Sequence, residues 1–87
     1  MEITYDPVKN ARNVAERGIS FDRAADFDFD SAVFLIDHRR DRDEVRYRGF
    51  GMLDGRLHVL VFTETLKGIR VISLRRANRR EVRDYGS

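Results

Sequence analysis

The sequence predicts a single α+β domain in which an antiparallel β-sheet carries N-terminal helices on one face and is followed by a C-terminal helix. Two observations support this class: helical patterns are concentrated near the start of the chain, whereas the remainder alternates short apolar runs with turn residues. With 87 residues, the chain has room for one domain, residues 1–87. The predicted order of elements is β-α-α-β-β-β-β-α, with the strands forming a meander.

The N-terminal part of the chain predicts one short strand and two helices. The first residues alternate between polar and apolar side chains, as a strand does. Asp6 is a favourable N-cap with Pro7 at the first helical position, and apolar residues recur at helical spacing until Gly18, so a helix is expected over residues 7–17. Ser20 is expected to begin a second short helix. Its inward-facing positions are Phe21, Ala24, Ala25 and Phe27.

Three strand-like segments follow. The apolar run over residues 32–36 predicts a buried strand, because it is short and partly β-branched. Residues 37–43 contain no apolar side chain and predict an exposed turn. The Asp-Gly pair at positions 54–55 indicates a two-residue hairpin that joins a strand over residues 45–53 to one over residues 57–63.

The last segments predict a strand over residues 69–74 and a helix over residues 75–85, since the latter contains neither Gly nor Pro. Strict alternation would place Ser73 and Arg75 on one face of the sheet and Arg70 on the other. Ser73 and Arg75 could then contact the same phosphate. The spacing by itself favours a simpler interpretation, in which the Ser73 hydroxyl satisfies the sheet backbone or packs beneath the helix.

Basic residues are concentrated in the second half of the chain. Residues 1–44 contain 11 acidic and 7 basic side chains, whereas residues 45–87 contain 4 and 10. Fifteen of the 17 basic residues are Arg, whose planar guanidinium binds phosphate through two hydrogen bonds and keeps its charge. Six of them lie in the last 18 residues, which indicates a surface that attracts a polyanion. A solvated helix face balanced by Glu81 and Asp84 explains this run equally well.

Several classes of function are excluded by what the sequence lacks. It contains no Cys, which removes disulfide frameworks, zinc knuckles and cysteine nucleophiles. No apolar run is long enough to cross a membrane and no secretory signal is recognised, so the expected location is the cytoplasm. His38 and His58 are not part of a hydrolase motif, and the acidic residues 22–30 lack the pattern of a calcium loop. No metal ion or cofactor is therefore predicted.

Cleavage of RNA is a reaction that an arginine-rich surface can perform. RNA carries its own nucleophile, the 2′-hydroxyl group, so the protein mainly has to hold the phosphate with cations in an in-line geometry. The chain offers no convincing two-metal site, and cleavage is therefore expected to be metal-independent.

Two sets of residues, one near each end of the chain, form recognisable motifs. The first consists of Tyr5, Asp6, Lys9, Asn13, Arg17, Gly18 and Phe21. The second consists of Thr63, Glu64, Arg70, Ile72, Ser73, Arg75, Ala77, Glu81 and Tyr85. Together they resemble the BrnT type II toxins, small ribonucleases of the RelE-like superfamily. The chain departs from that pattern with Tyr5 in place of Trp, Glu16-Arg17 in place of Lys-His, and Asn78 in place of Thr.

The resemblance implies a RelE-like fold and a ribonuclease that inhibits translation. The implied catalytic residues are Arg70, Arg75, Arg76, Glu64 and Tyr85, of which the arginines would stabilise the pentavalent phosphate and Glu64 or Tyr85 would move protons. The implied RNA-binding residues are Lys9, Arg17, Ser73, Arg79 and Arg80. Also implied are a BrnA-like antitoxin with a ribbon-helix-helix DNA-binding half, and binding of operator DNA through the antitoxin complex.

Two other functions stay open at this point. A non-catalytic nucleic-acid-binding module would use the arginine-rich C-terminal segment to contact phosphates. A protein-interaction adaptor would neither cleave RNA nor bind it in a salt-sensitive way. Growth arrest on expression of the chain alone would distinguish the ribonuclease from the binding module.

Overall fold

The computed structural model describes residues 1–37 and 44–86 and confirms the α+β class. Its elements, in chain order, are strand β1 (Glu2–Tyr5), helix α1 (Pro7–Arg17), a 3₁₀ helix (Phe21–Asp26), strands β2 (Val33–Asp37), β3 (Arg46–Leu53), β4 (Arg56–Glu64) and β5 (Gly68–Arg76), and helix α2 (Arg79–Tyr85). The predicted order of elements is correct. None of the described helices is long and apolar enough to span a membrane.

The five strands form one mixed sheet in the order β1-β5-β4-β3-β2. Strands β2 to β5 are antiparallel to their neighbours, but β1 runs parallel to β5, with Ile3 opposite Ile69. The prediction of an antiparallel sheet is therefore wrong for β1. It was based on turns between consecutive strands, which fix the direction of β2 to β5, whereas β1 and β5 are connected only through the rest of the domain.

Helix α1 covers the edge of β5 beyond the end of β1. It has the predicted bounds: the Asp6 carboxylate accepts a hydrogen bond from a backbone N–H of the first turn at 2.9 Å, and Gly18 adopts a φ of 71° at the C-terminus. The buried Asn13 donates from Nδ2 to the carbonyl oxygens of Leu74 (2.9 Å) and Ile19 (2.8 Å). Asn13 thereby occupies a backbone acceptor that a further strand would otherwise use.

The 3₁₀ helix and the residues around it form the main core on one side of the sheet, here called the covered face. Ser20 caps this helix as predicted, but Ala25, which was expected inside, is exposed. The buried core residues are Phe21, Ala24, Phe27, Leu53, Leu60, Phe62, Ile69, Val71 and Leu74. Gly51 allows Phe27 to approach the sheet, because a Cβ atom at Gly51 would lie 2.6 Å from the Phe27 ring.

Strand β2 is an exposed edge strand, so the prediction of a buried strand over residues 32–36 is wrong in its burial. Val33, Phe34 and Ile36 are 43%, 40% and 50% exposed. The strand pairs with β3 on one side only, so these side chains lie at the open edge of the sheet. Of the predicted turn over residues 37–43, Asp37 is the last residue of β2, and residues 38–43 lie outside the described residues.

Helix α2 begins at residue 79, later than the predicted helix over residues 75–85. Arg75 and Arg76 belong to β5 and pair with β4. The helix start is fixed by a capping box: the Asn78 side chain accepts a hydrogen bond from Glu81 N at 2.9 Å, and Glu81 Oε1 accepts one from Asn78 N at 2.9 Å. Strand pairing thus overrides the helical preference of the two arginines.

Candidate active site

A β-bulge in β5 decides which side chains lie together. Val61 and Phe62, which are adjacent in β4, pair with Ser73 and Val71, so Ile72 is left without a partner in β4. The extra residue places Arg70 on the same face as Ser73 and Arg75. The prediction that Ser73 and Arg75 share a face is confirmed, and the prediction that Arg70 lies on the opposite face is wrong because of the bulge.

Two arginines of β3 lie on this face as well. Arg46 and Arg70 both pair with Thr63 of β4, so the three residues form one row across the sheet. Arg48 and Ser73 form a second row in the same way through Val61. We call this side of the sheet the arginine face, after Arg46, Arg48, Arg70 and Arg75. Three other polar residues lie on it: Asp37, Thr63 and Ser73. Sequence reasoning missed Arg46 and Arg48 as site residues, because alternation with apolar residues is also typical of a solvated strand. Their spacing of two, on a strand next to β4, is the signal that could have identified them.

Arg75 is held in place by Glu81 of α2. Its Nη1 and Nη2 each donate to one carboxylate oxygen of Glu81 at 2.8 Å, and Nη1 also donates to the Arg76 carbonyl oxygen at 3.3 Å. A guanidinium has five N–H donors, and Nε and the outer hydrogen of Nη2, on one edge, make no hydrogen bond to any described residue. That edge has the two-pronged geometry that binds a phosphate. Glu81 thus positions Arg75 without occupying the edge that would bind the ligand.

The Glu81 carboxylate is ionised at all but very low pH. The hydrogen bonds from Arg75 are the main cause that lowers its pKa from 4.5 to about 2, with smaller contributions from Asn78 N–H and the charge of Arg48, while partial burial opposes the shift. The same ion pair raises the pKa of Arg75. The pair therefore keeps its charges under any condition in which the domain would act.

We expect Glu81 to make the stability of the domain sensitive to acid. The ionised carboxylate stabilises the fold fully above about pH 4.5, and this contribution is lost as the pH falls through about 2, because the pKa of the folded state is the lower one. The shift corresponds to about 3 kcal/mol at neutral pH. Urea unfolding measured across this pH window should show a smaller acid-induced loss for Glu81→Gln than for the wild type. Asp84→Asn, an exposed carboxylate of the same helix, should behave like the wild type; identical profiles for Glu81→Gln and the wild type would disprove the assignment.

Arg48 lies beside an aromatic pair that joins α2 to the sheet. Its guanidinium carbon is 5.9 Å from the centroid of the Phe50 ring, and Tyr85 stacks on the same ring with centroids 4.1 Å apart. Arg48 Nε is buried and has no hydrogen-bond partner among the described residues. A buried donor without a partner is costly, and it marks Arg48 as a candidate site residue. Arg48, Arg75 and Tyr85 therefore surround one region of the arginine face.

The other predicted site residues lie away from this region. Arg76 pairs with His58, so its side chain is on the covered face. Arg17 and Arg76 both line a cleft on that face. Glu64 is exposed at the far end of β4, beside an aromatic depression that includes Tyr47 and Phe62. The structure therefore places Arg70, Ser73 and Arg75 on one face with Tyr85 beside it, and it directs Arg76 and Glu64 to the other face. Arg17 lies at the edge between the two faces, beside Ser73 and Arg75.

The remaining basic candidates lie at the rim. Lys9 and Arg17 line a shallow depression of about 210 Å³ between α1 and the bulge, which also includes Ser73. Arg79 and Arg80 are exposed in the first turn of α2, directly after the end of β5. Of these residues, Lys9 and Arg17 share a depression with a member of the arginine face, Ser73.

The acidic and histidine candidates do not form a metal centre in the part of the chain that the structure describes. No group of three His, Asp or Glu side chains there could hold a metal ion. In the acidic stretch, Asp28 accepts a hydrogen bond from Ser31 Oγ at 2.7 Å and closes a loop, which lowers the pKa of its carboxyl. His38 lies outside the described residues.

The fold and the site define a small α+β domain with an arginine-lined open sheet face suited to a polyanion. Residues 5–81 match the family described as ribonuclease toxin, BrnT, of type II toxin-antitoxin system, and the chain belongs to this family. The resemblance noted from the two sequence motifs is thereby confirmed. A comparison with curated proteins finds no match. Family membership makes the chain a ribonuclease toxin of a type II system, and it implies an antitoxin partner.

Proposed function

We propose that the domain cleaves RNA on the arginine face by attack of the substrate's own 2′-hydroxyl group. The 2′-oxygen would form a bond to the adjacent phosphorus while the bond to the 5′-oxygen breaks, which leaves a 2′,3′-cyclic phosphate and a 5′-hydroxyl end. The observation that carries the proposal is the free edge of Arg75, held by Glu81 on the same face as the guanidinium of Arg48, whose charge also acts on Glu81. Two such donors can stabilise the extra negative charge of a pentavalent phosphate.

Four residues of the arginine face have a role in this proposal. Arg48 and Arg75 neutralise the reacting phosphate, while Arg70, exposed at the bulge, and Ser73 hold a neighbouring one. Tyr85 is the better placed of the two proton carriers inferred from the motifs, since it borders the arginine face and its hydroxyl has no hydrogen-bond partner within residues 1–37 and 44–86. Glu64 pairs with Ile69, so its side chain lies on the covered face and is not part of this arrangement.

The biological setting is part of the same proposal. Cleavage of RNA in the cytoplasm would inhibit translation, and the fold would be of the RelE-like type. The antitoxin would be BrnA-like, with a ribbon-helix-helix half that binds operator DNA when the two proteins are in complex. Membership of a type II toxin-antitoxin family supports a protein partner of this kind.

End-group analysis of the cleavage products in excess EDTA tests the mechanism. We expect full activity, a 5′-hydroxyl end and a 2′,3′-cyclic phosphate, because cations of the protein and the substrate's 2′-hydroxyl supply the whole reaction. Arg83→Gln, which removes an exposed charge outside the site, should leave the products unchanged. Loss of activity in EDTA or a 5′-phosphate product would refute the mechanism. Salt-sensitive binding of intact RNA without any cleavage would favour the non-catalytic binding module instead.

A further inference from the structure

A second basic site lies at the end of the covered face, where β4 begins and β5 ends. It is a cleft of about 530 Å³, within the range of about 300–1,000 Å³ typical of small-molecule sites. Its basic side chains are Arg17, Arg23, Arg56, Arg76 and His58. The mechanism proposed above uses none of them.

The charge of this cleft is only partly balanced. Arg23 forms ion pairs with Asp54 at 2.7 Å and with Asp26 at 3.3 Å. Arg17 donates to the neutral Asn13 side chain at 2.9 Å and forms no ion pair within residues 1–37 and 44–86. Arg56 and Arg76 are exposed and have no acidic partner in the described part of the chain. Three such guanidinium groups around one cleft indicate an anionic ligand.

His58 gives the cleft a fixed polar group in its wall. The residue is 5% exposed, and its Nδ1 lies 2.9 Å from the Arg56 carbonyl oxygen. A carbonyl oxygen can only accept, so Nδ1 carries the proton and the ring is held in one orientation. Nε2 is then the ring nitrogen left for a ligand, and it has no partner among residues 1–37 and 44–86.

The rest of the lining suits a flat, weakly polar group. Val14, Ile19 and Leu53 contribute apolar surface to the same cleft. An anionic group beside an apolar floor matches the two parts of a nucleotide, its phosphate and its base. A free phosphate would use the arginines and leave the floor empty.

The two sites are connected around the end of β5. Arg75 and Arg76 are adjacent in the strand, so their side chains point to opposite faces of the sheet. A shallow depression of about 300 Å³ at this edge is lined by Arg17, Ile19, Arg75 and Arg76 together. A single strand of RNA that passes over this edge can therefore contact Arg75 on the arginine face and enter the cleft on the other.

We propose that this cleft is a second subsite that binds one nucleotide of the RNA outside the position of cleavage. The phosphate contacts Arg56 and Arg76, and the base lies on the apolar floor beside His58. The proposal rests on the proposed function only in taking the ligand to be part of the RNA substrate. Arg76 is then a substrate-binding residue, separate in role from its neighbour Arg75.

Steady-state kinetics with two substrate lengths test this assignment. Arg56→Gln and Arg76→Gln should each raise KM for a seven-nucleotide RNA by about tenfold, the loss of one charge-assisted hydrogen bond, with kcat unchanged. For a dinucleotide, which reaches the arginine face alone, both parameters should stay at the wild-type values. Arg83→Gln is the control with the same charge change. An unchanged KM on the long substrate, or an equal loss of kcat on both substrates, would overturn the proposal.

A binding measurement separates failure of the subsite from failure of the proposed function. Titration of the wild-type protein with adenosine 5′-monophosphate, followed by nuclear magnetic resonance, should shift signals of His58 and its cleft neighbours in a saturable way. Arg56→Gln should abolish these shifts and Arg83→Gln should keep them. If RNA is not cleaved but the nucleotide still binds the cleft, the proposed function fails and the subsite stands. Shifts confined to the arginine face would refute the subsite whether or not RNA is cleaved.

Discussion

Replacing Arg75 by Ala should lower the rate of RNA cleavage about a hundredfold or more, the loss expected for a preorganised donor that stabilises charge in the transition state. The variant lacks the guanidinium edge that we propose contacts the phosphate. The same change leaves Glu81, which is only 14% exposed in its side chain, without its main partner, so a loss of stability is expected as well. Cleavage rates must therefore be compared at a temperature where both proteins are folded.

Three further variants separate the catalytic effect of Arg75 from its structural one. Arg75→Lys keeps the charge but replaces the two-pronged edge by a single ammonium, so it should regain stability and recover only part of the activity. Arg75→Ala combined with Glu81→Gln removes the unpaired carboxylate and should be more stable than Arg75→Ala alone, with activity still low. Glu81→Gln by itself should reduce kcat through looser positioning of Arg75. If Arg75→Ala is folded and still fully toxic to cells, Arg75 does not contact the reacting phosphate.

A substrate with 2′-deoxyribose at the cleaved nucleotide should not be cleaved at all. This is the largest effect expected, because the substitution removes the nucleophile itself while the phosphate groups that bind the arginines stay in place. The modified RNA should therefore bind with nearly unchanged affinity and act as a competitive inhibitor, which fluorescence anisotropy and inhibition kinetics can measure.

The matched control is the same RNA with 2′-deoxyribose one nucleotide further along the strand, away from the cleaved bond. It should be cleaved at close to the normal rate, since that 2′-hydroxyl group takes no part in the reaction. Any cleavage of the first substrate at its usual position would mean that water is the nucleophile, and it would require a group on the protein that activates this water.

Local sequence patterns determined the elements whose ends depend on nearest neighbours. The Asp6 cap, Pro7 and Gly18 gave α1 its bounds, and the Asp-Gly pair at positions 54–55 gave the β3–β4 hairpin, where Asp54 and Gly55 have φ values of 53° and 75°. Such signals act within a few residues, so they do not depend on the rest of the fold. The excess of Arg in the second half of the chain is also visible without knowledge of the fold, and it indicated a polyanionic ligand.

The elements that sequence reasoning placed wrongly depend on contacts between distant parts of the chain. Pairing with β4 extended β5 through Arg76, where local preference favours a helix. The parallel alignment of β1 with β5 and the exposed position of β2 follow from the order of strands in the sheet. The sequence pattern within one strand does not show which other strand it will pair with in the sheet.

The sequence by itself determined that this protein is a small α+β domain of the BrnT family with an arginine-rich second half. Only the tertiary structure decided which arginines share one face of the sheet. Because of the bulge at Ile72, Arg70 lies on the same face as Arg75. The register of β3 places Arg48 on that face as well. Arg76 pairs with His58, so its side chain lies on the opposite face. The physical reason is the two-residue period of a strand: one extra residue, or a shift of register by one, moves every following side chain to the other face of the sheet.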